Sequence, residues 1–232
     1  MHDIDQLIHE IEKDAEWTHN WTGRSRLCEA VIAAIREVPR DHFVPDSVRD
    51  LAYHNGPLSI GYGQTISQPF IVALMTDLLN PRPDSVILEV GTGSGYQAAV
   101  LCVLVKQVYS VEIVPELALR SAHRLNELNY RNIEVRHGDG HSGWPEHAPY
   151  DGIIVTAAAR AIPPRLVEQL KPDANLVIPV GEPRAHQELM VVHKNGSGET
   201  TMRNVLSVAF VPLTGSPDHP GRNRFSESDS GQ

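Results

Sequence analysis

A glycine-rich turn between a buried strand and a helix constrains the fold of this chain more than any other segment. The apolar run SVILEV at residues 85–90 leads directly into the turn, and the helical stretch YQAAVLCVL follows it. The turn consists of Gly91, Thr92, Gly93, Ser94 and Gly95. Glycines suit a backbone that turns sharply against a ligand, and a helix N-terminus offers free N–H groups and a positive dipole end. The pattern predicts a strand–turn–helix unit that binds a nucleoside.

The remaining C-terminal sequence repeats this alternation of strands and helices. Apolar runs that suit strands are QVYSVE, NIEVRH, GIIVTA, NLVIPV, ELMVVH and, at residues 205–213, VLSVAFVPL. Runs that are apolar at successive positions are typical of strands covered on both faces. The sequence therefore predicts an α/β fold with a doubly wound, mainly parallel, seven-stranded Rossmann-like sheet. The last run is expected to be an antiparallel strand at the C-terminal edge.

The first 80 residues are expected to form a helical and loop extension. Leu7, Ile8 and Ile11 have helical spacing and predict a short amphipathic helix, and further helices are predicted at 27–37 and 70–79. The segment between these two helices is rich in Gly and Pro and is expected to be irregular. We therefore divide the chain into an extension (1–80), a cofactor-binding core (81–213) and a disordered tail (214–232).

Composition argues against several classes of function. Twenty basic residues against 29 acidic ones give a net charge of −9, which disfavours a nucleic-acid partner. No signal peptide and no apolar run of membrane-spanning length is seen, so we expect a cytoplasmic protein without a membrane partner. Two cysteines exclude a disulfide framework, and the histidines lack metal-ligand spacing, so no metal is expected. A monomer is the default for a chain of 25.6 kDa.

Acidic residues around the glycine turn indicate which nucleoside is bound. Glu112 ends the next strand, where its carboxylate can take both hydroxyls of a ribose. Glu89 stands two residues before the first glycine, where it would repel a pyrophosphate but can help fix an ammonium group, and Tyr96 occupies the last glycine position of the dinucleotide pattern. Acidic-x-Gly-x-Gly-x-Gly resembles the first motif of class I S-adenosylmethionine methyltransferases. That class commonly places an acidic residue near the adenine, which points here to Asp139 and to Gly140 beside it.

A second segment, Leu58 to Pro69 with the sequence LSIGYGQTISQP, is more specific still. Together with VPR at 38–40, LEVGTGSGYQAAVL, GDG at 138–140, APYDGIIVTAAA and FVPLTG, it resembles the protein-L-isoaspartate O-methyltransferase family over about residues 27–215. The resemblance implies transfer of a methyl group from S-adenosylmethionine to the free α-carboxyl of isoaspartyl residues in damaged proteins. The product ester would then close to a succinimide, which starts repair.

The resemblance also implies which residues act on the substrate. Ser67 is the active-site serine by this resemblance, with help from Thr65, from backbone groups around Ile66 and Val180, and from Gln64, which shapes the loop. The substrate carboxyl has a reference pKa of about 3.3–3.7, so it is ionised at neutral pH and needs no general base. An alternative is that Ser67 only caps the helix that follows. A serine nucleophile is disfavoured because G-x-S-x-G is missing.

Two departures from the family pattern keep other functions open. Asn55 stands where the family usually has an acidic residue, and Asp173-Ala174 replace a usual Gly-Gly pair. Asp tolerates a left-handed turn better than most residues, so that turn is expected to survive. The alternatives are a methyltransferase with another carboxylate or a small-molecule acceptor, a nicotinamide-dependent dehydrogenase, and a paralogue that binds isoaspartyl peptides without turnover.

Overall fold

A computed structural model describes residues 3–182 and 185–215. Its main element is a seven-stranded sheet with the order β5-β4-β3-β6-β7-β8-β9. The strands are β3 (Val86–Val90), β4 (Gln107–Glu112), β5 (Ile133–His137), β6 (Tyr150–Val155), β7 (Leu170–Gly181), β8 (Gln187–Lys194) and β9 (Thr200–Val208). The pairings from β5 to β7 are parallel, whereas β8 runs antiparallel to both of its neighbours. The predicted fold class is confirmed.

Helices cover both faces of this sheet. They are α1 (Ile4–Thr22), α2 (Glu29–Glu37), α3 (Pro69–Leu79), α4 (Tyr96–Leu104), α5 (Pro115–Glu127) and α6 (Pro164–Glu168). Ile87 and Ile154 point to the face that carries α2 to α4, while Leu88 and Ile153 belong to the core on the opposite face. This alternation along neighbouring parallel strands explains why the runs are apolar at successive positions. No helix in the described residues is both long and apolar enough to span a bilayer.

The N-terminal region differs from its prediction in two respects. Helix α1 has 19 residues rather than being short, because Ala15, Thr18 and Thr22 continue the buried stripe begun by Leu7. The segment expected to be irregular contains a two-stranded hairpin, β1 (Leu58–Gly61) and β2 (Gln64–Ile66). Its turn uses left-handed backbone at Tyr62 and Gly63 (φ 54° and 69°). A Gly-rich sequence permits this conformation but does not by itself predict a hairpin.

The C-terminal strand also begins earlier than predicted. Strand β9 ends at Val208, so residues 209–213 leave the sheet. The reason is a hairpin turn in which Gly198 N–H donates to the Asn195 carbonyl (2.9 Å), which starts the return strand at Thr200. Residues 211–213 bond instead to Ala158, whose N–H donates to the Val211 carbonyl (2.8 Å). The prediction that the last strand covers residues 205–213 is therefore wrong in its bounds, since β9 covers Thr200–Val208.

The N-terminal extension shares one hydrophobic core with the sheet. Leu7, Ile35 and Phe70 lie in the same buried cluster as Ile87 and Val177. Asp173 adopts φ 60°, so the left-handed turn expected there is present. The division at residues 80/81 and 213/214 stays a prediction, and the proposed tail falls, from residue 216 on, outside the described residues.

Candidate functional site

The glycine turn lies at the carboxyl end of β3 and leads directly into α4. Gly91, Gly93 and Gly95 have φ values of 96°, 53° and 89°. Thr156 directly follows β6, the neighbouring strand. A Cβ atom on Gly91 would stand 2.5 Å from the Oγ1 atom of Thr156. The turn is thus fixed from both sides, by its own backbone conformation and by contact with the adjacent loop.

Two glutamates flank this turn in different environments. Glu112 lines a small cavity at the turn, and its carboxylate accepts hydrogen bonds from Gly93 N–H (2.7 Å) and Val114 N–H (2.9 Å). Glu89 is fully buried behind the turn, where Ser110 donates a hydrogen bond to Oε2, and Oε1 has no partner among the described residues. Burial raises the pKa of Glu89 to about 8. Glu112 therefore lines the small cavity, whereas Glu89 is buried and does not line it.

The side chains of three other predicted cofactor residues point away from the small cavity. Thr92 Oγ1 lies 2.6 Å from Ser110 Oγ, and Ser94 is buried toward α5, where its carbonyl accepts from Arg124 (2.8 Å). Tyr96 is 1% exposed and packs edge-on against Phe43, with ring centroids 5.6 Å apart. These residues shape the turn from behind, so any contact they make with a cofactor comes from their backbone.

The Gly138-Asp139-Gly140 segment closes the cavity from the β5 side. Gly140 lines the cavity and is buried, and a Cβ atom there would stand 2.3 Å from Val90 Cγ1. The Asp139 carboxylate accepts a hydrogen bond from His141 N–H (2.9 Å) and caps a short 3-10 helix. Asp139 is partly exposed and does not line the cavity itself, which leaves its predicted contact with adenine untested.

A larger cavity of about 610 Å³ lies beside the β1–β2 hairpin. Ser67 and Thr65 line it, and the Ser67 hydroxyl makes no hydrogen bond to any of the described residues. Ile66 is buried in the core, so only its backbone is available to a ligand. Gln64 lies at the small cavity and reaches toward the Tyr62 carbonyl (3.5 Å). Thr65 in the hairpin and Ser67 just after it therefore have hydroxyls without a hydrogen-bond partner among the described residues.

The two cavities adjoin. Thr65, Thr156 and Val211 line both of them, so these residues form a shared wall along which the glycine turn and Ser67 face adjoining space. Val180 lies elsewhere: it pairs with Ala159 at the end of β7 and lines neither cavity. The structure thus brings Ser67 and Thr65 together with the turn, and it does not bring Val180 to the same wall.

Arg40 holds residues 56–67, named the substrate loop after their predicted role, through hydrogen bonds to both ends. Its side chain is fully buried, and it donates hydrogen bonds to the carbonyls of Ala52 (2.9 Å), Gly56 (3.3 Å) and Ser67 (2.9 Å). The guanidinium also stacks over the Tyr96 ring, 4.9 Å from its centroid. Burial lowers the pKa of Arg40 to about 10, which still leaves it charged at neutral pH. One cation therefore connects the backbone of Ser67 with the helix that follows the glycine turn.

Asn55, rather than Ser67, satisfies the start of α3. The residue at the N-cap position is Gln68, without a side-chain cap, and Phe70 N–H donates to Asn55 Oδ1 (3.0 Å). The alternative that Ser67 only caps this helix is wrong, because the side-chain amide of Asn55 accepts the hydrogen bond from Phe70 N–H instead. Asn55 Nδ2 also donates to Asp14 Oδ2 (2.8 Å). An aspartate at position 55 could accept from Phe70 but would repel Asp14.

Sequence reasoning missed three residues of this site. Thr156 follows β6, as Glu112 ends β4, and the carboxyl ends of parallel strands meet at one edge of a sheet, so its position was a usable signal. Arg40 and Asp14 act across 27 and 41 residues of sequence, on Ser67 and Asn55 respectively. No local pattern indicates such contacts.

Comparison with known proteins decides the family. The sequence model described as protein-L-isoaspartate(D-aspartate) O-methyltransferase matches residues 20–218. The chain belongs to this family. A relative from Nitrosococcus oceani named protein-L-isoaspartate O-methyltransferase 2 is 54% identical over 215 residues, which is 93% of this chain and 98% of the relative. A relative of the same name from Polaromonas sp. is 53% identical over 90% of this chain and 99% of its own.

Solved structures agree on the fold. A structure titled protein-L-isoaspartate O-methyltransferase superposes with a TM-score of 0.80 at 24% identity, over 92% of this chain and 66% of the other. A putative member of the same family from Plasmodium falciparum, in complex with S-adenosyl-L-homocysteine, gives a TM-score of 0.77 at 23% identity, over 92% and 99% of the two chains. Family membership removes the nicotinamide-dependent dehydrogenase from the alternatives.

The residues at the turn fit S-adenosylmethionine, the methyl donor of this methyltransferase family. Glu112 offers two carboxylate oxygens at a strand end, where a ribose diol can be bound. Val90, Val111 and Leu213 supply apolar surface beside it, which suits a purine. The Oε1 atom of Glu89 and the hydroxyl of Tyr96 are buried near the turn without a hydrogen-bond partner among the described residues. We found no group of three His, Cys, Asp or Glu residues in the described ranges that could hold a metal ion.

Proposed function

We propose that this chain transfers the methyl group of S-adenosylmethionine to the free α-carboxyl of L-isoaspartyl residues in damaged proteins, which starts their repair through a succinimide. The observation that carries the proposal is the wall shared by the two cavities. Thr65 and Thr156 border the glycine turn on one side and the Ser67 cavity on the other. A carboxylate held at Ser67 would therefore lie next to a methyl donor held at the turn.

The larger cavity offers the hydroxyls of Ser67 and Thr65 as hydrogen-bond donors to an acceptor that needs no base. S-adenosylmethionine, when bound, supplies a methyl group on a positively charged sulfur. The isoaspartyl carboxylate, with a reference pKa of about 3.3–3.7, is ionised at neutral pH, and the described lining residues include no histidine or lysine to act as a base. The chain's task is to align the partners and exclude water, and good alignment contributes about 7–11 kcal/mol.

We assign separate roles to the residues of the substrate loop. The Ser67 hydroxyl donates a hydrogen bond to one carboxylate oxygen, and Thr65 supports the carboxylate from the wall between the cavities. Arg40 is a positioning residue, because it holds the Ser67 carbonyl without lining the cavity. On the other side of the wall, Glu112 takes the ribose and the Gly91–Gly95 backbone takes the methionine end. Val180 is proposed to act only through its backbone, if a peptide extends to β7.

The finer aspects of partner and location are also proposals. A net charge of −9 disfavours nucleic acid, so we propose that protein substrates and the methyl donor are the only partners of a monomer. Cys28 and Cys102 are free thiols, which suits the reducing cytoplasm. Sedimentation of the purified chain and fractionation of cells that express it would test these two points.

The decisive experiment measures transfer of labelled methyl from S-adenosylmethionine to an isoaspartyl peptide, beside the same peptide with normal aspartate. We expect base-labile label on the isoaspartyl peptide alone. Label on neither peptide, while S-adenosylhomocysteine still binds, would leave the alternatives of another acceptor or of a peptide-binding protein without turnover.

Ser67→Ala tests the assigned role of the hydroxyl. A hydrogen bond to a charged group contributes about 1.5–3 kcal/mol, so kcat should fall about 10- to 100-fold while S-adenosylhomocysteine affinity stays within about twofold. Ser59→Ala is the matched control, since Ser59 is an exposed serine of the same hairpin that lines neither cavity. Equal losses of kcat and cofactor affinity in Ser67→Ala would contradict the role.

A further inference from the structure

The larger cavity has a wall that the family match does not include. That match begins at residue 20, whereas Asp14, Trp17 and Thr18 of helix α1 line the same cavity as Ser67. Trp17 is 75% exposed, and its ring lies edge-on to that of Trp21 with centroids 6.2 Å apart. An exposed tryptophan pair at the rim of a substrate cavity offers a flat surface to an approaching peptide.

This wall is rigidly placed. Leu7, Ile11 and Ala15 bury one side of α1 in the core, and Asn55 holds the Asp14 carboxylate through one oxygen (2.8 Å). At the end of the helix, Arg203 of β9 donates to the Thr22 carbonyl (3.4 Å). Asp14 and Trp17 therefore occupy fixed positions at the cavity rather than on a loose terminus.

Asp14 is the one charged side chain among the described residues that line the cavity. Its Oδ2 atom is bonded to Asn55, and its Oδ1 atom has no hydrogen bond to a described residue. Burial raises the pKa of Asp14, although the bond from Asn55 opposes this. When ionised, a carboxylate with an unbonded oxygen attracts a cation and repels an anion, and the ring of Trp17 lines the same cavity.

We propose, building on the function above, that Asp14 and Trp17 form a subsite for the residue that flanks the isoaspartyl group, and that this subsite favours a basic side chain over an acidic one. A lysine or arginine of the substrate would place its charged end at Asp14 Oδ1 and its stem or guanidinium against the Trp17 ring. The acceptor carboxylate itself stays at Ser67, so the subsite sets which damaged sites are methylated and leaves the chemistry unchanged.

The test compares three isoaspartyl peptides that differ only in one flanking residue, which is Lys, Ala or Glu, with a second set that carries the change on the other side. When the change is on one of the two sides, we expect kcat/KM to be about 3- to 10-fold higher for the Lys peptide than for the Glu peptide. The Lys peptide gains an attraction to Asp14 and the Glu peptide suffers a repulsion, and the two effects together account for this ratio. Asp14→Asn keeps an acceptor for Asn55 and should bring that ratio to within about twofold of one. Trp17→Ala should raise KM for the Lys peptide with little change in kcat.

Glu12→Gln is the matched control. Glu12 is an exposed acid of the same helix that does not line the cavity, and the substitution removes the same charge. A ratio of kcat/KM between the Lys and Glu peptides that is near one in the native chain would overturn the subsite. The subsite is also overturned if Glu12→Gln lowers this ratio as much as Asp14→Asn does, because general surface charge then explains the preference.

A binding measurement separates this proposal from the proposed function. The same peptides are titrated while Trp17 fluorescence is followed, with Trp17→Phe as the blank. A Lys preference in binding that Asp14→Asn abolishes supports the subsite even if no methyl is transferred to any peptide, in which case the proposed function alone fails. Methyl transfer without a flanking preference overturns the subsite alone, and no difference in binding among the three peptides likewise overturns it.

Discussion

The glycine turn and the substrate loop lie on two sides of one wall, yet they are held in place differently. The turn is fixed by its own sequence: its glycines adopt left-handed backbone, and the strands that hold it are immediate neighbours in the sheet. The substrate loop is fixed by residues from elsewhere, since Arg40 bonds to the Ser67 carbonyl and Asn55 to the first turn of α3.

This difference predicts different responses to mutation. The turn should be most sensitive to the addition of a Cβ atom, although the side chains of Glu112 and Arg124 also bond to its backbone. A site held by distant side chains tolerates local changes but fails when an anchor is removed. The following predictions test this contrast, beginning with the largest expected effect.

Gly91→Ala should abolish most cofactor binding. The left-handed conformation costs a non-glycine residue about 1–2 kcal/mol, and the new Cβ would also stand 2.5 Å from Thr156 Oγ1. We expect S-adenosylhomocysteine affinity to fall about 100-fold by calorimetry, with partial recovery when Thr156→Ala is added. Gly23→Ala is the control, because Gly23 has φ 70° with nothing within 4 Å and lies at the end of α1. An unchanged affinity in Gly91→Ala would mean that the turn does not hold the cofactor.

Arg40→Lys should disturb the substrate loop and the stability of the whole chain. A lysine keeps the charge but cannot reach three carbonyls at once, so buried acceptors are left unsatisfied. We expect a loss of about 2–4 kcal/mol in urea unfolding, together with a fall in kcat/KM that exceeds the fall in cofactor affinity.

The control for this change is Arg49→Lys, in which an exposed arginine paired with Asp46 (2.6 Å) is altered in the same way. Its effect should stay within about 0.5 kcal/mol. Similar stability losses in the two variants would show that Arg40 is not the anchor of the loop.

Glu89→Gln should have the opposite sign, because it stabilises the chain, and its effect should depend on pH. Because burial raises the pKa of Glu89 to about 8, the folded state binds a proton that the unfolded chain, with a pKa of about 4.3, has released. Stability is therefore lost as the pH rises from about 4 to 8, and glutamine removes that loss. We expect Tm to rise by several degrees at pH 8 and by much less at pH 5.

Glu134→Gln, an exposed strand glutamate on β5, should show no such pH dependence. An equal change in Tm for Glu89→Gln at both pH values would contradict the burial of a titrating carboxyl behind the turn.

The same contrast explains how much could be predicted from sequence. The sheet, the glycine turn and the position of Glu112 follow from periodicity and glycine placement, which are local properties of the chain. Thr65 and Ser67 came from the resemblance of one hairpin to a family, and the structure does place both at the larger cavity. Where local information decides the conformation, sequence reasoning sufficed.

What could not be predicted depends on contacts between distant segments. The first turn of α3 is capped by Asn55 rather than by the adjacent Ser67, since Phe70 N–H donates its hydrogen bond to the side chain of Asn55. The end of β9 was misplaced because hydrogen bonds to Ala158 draw residues 211–213 away from the sheet. Tyr96 belongs to the motif by position, but its ring packs against the Phe43 ring and the Arg40 guanidinium instead of facing the cavity.

The segment that leaves β9 has a consequence for how the protein is made. Val211 lines both cavities and Leu213 lines the smaller one, while Asp14 lines the larger one from the other end of the chain. The binding surfaces therefore draw on almost the first and almost the last of the described residues. A nascent chain still lacking its final stretch has no complete site, so methylation cannot begin before synthesis of the polypeptide is nearly finished. A split anywhere between Asp14 and Val211 would divide the residues that line the larger cavity between the two halves.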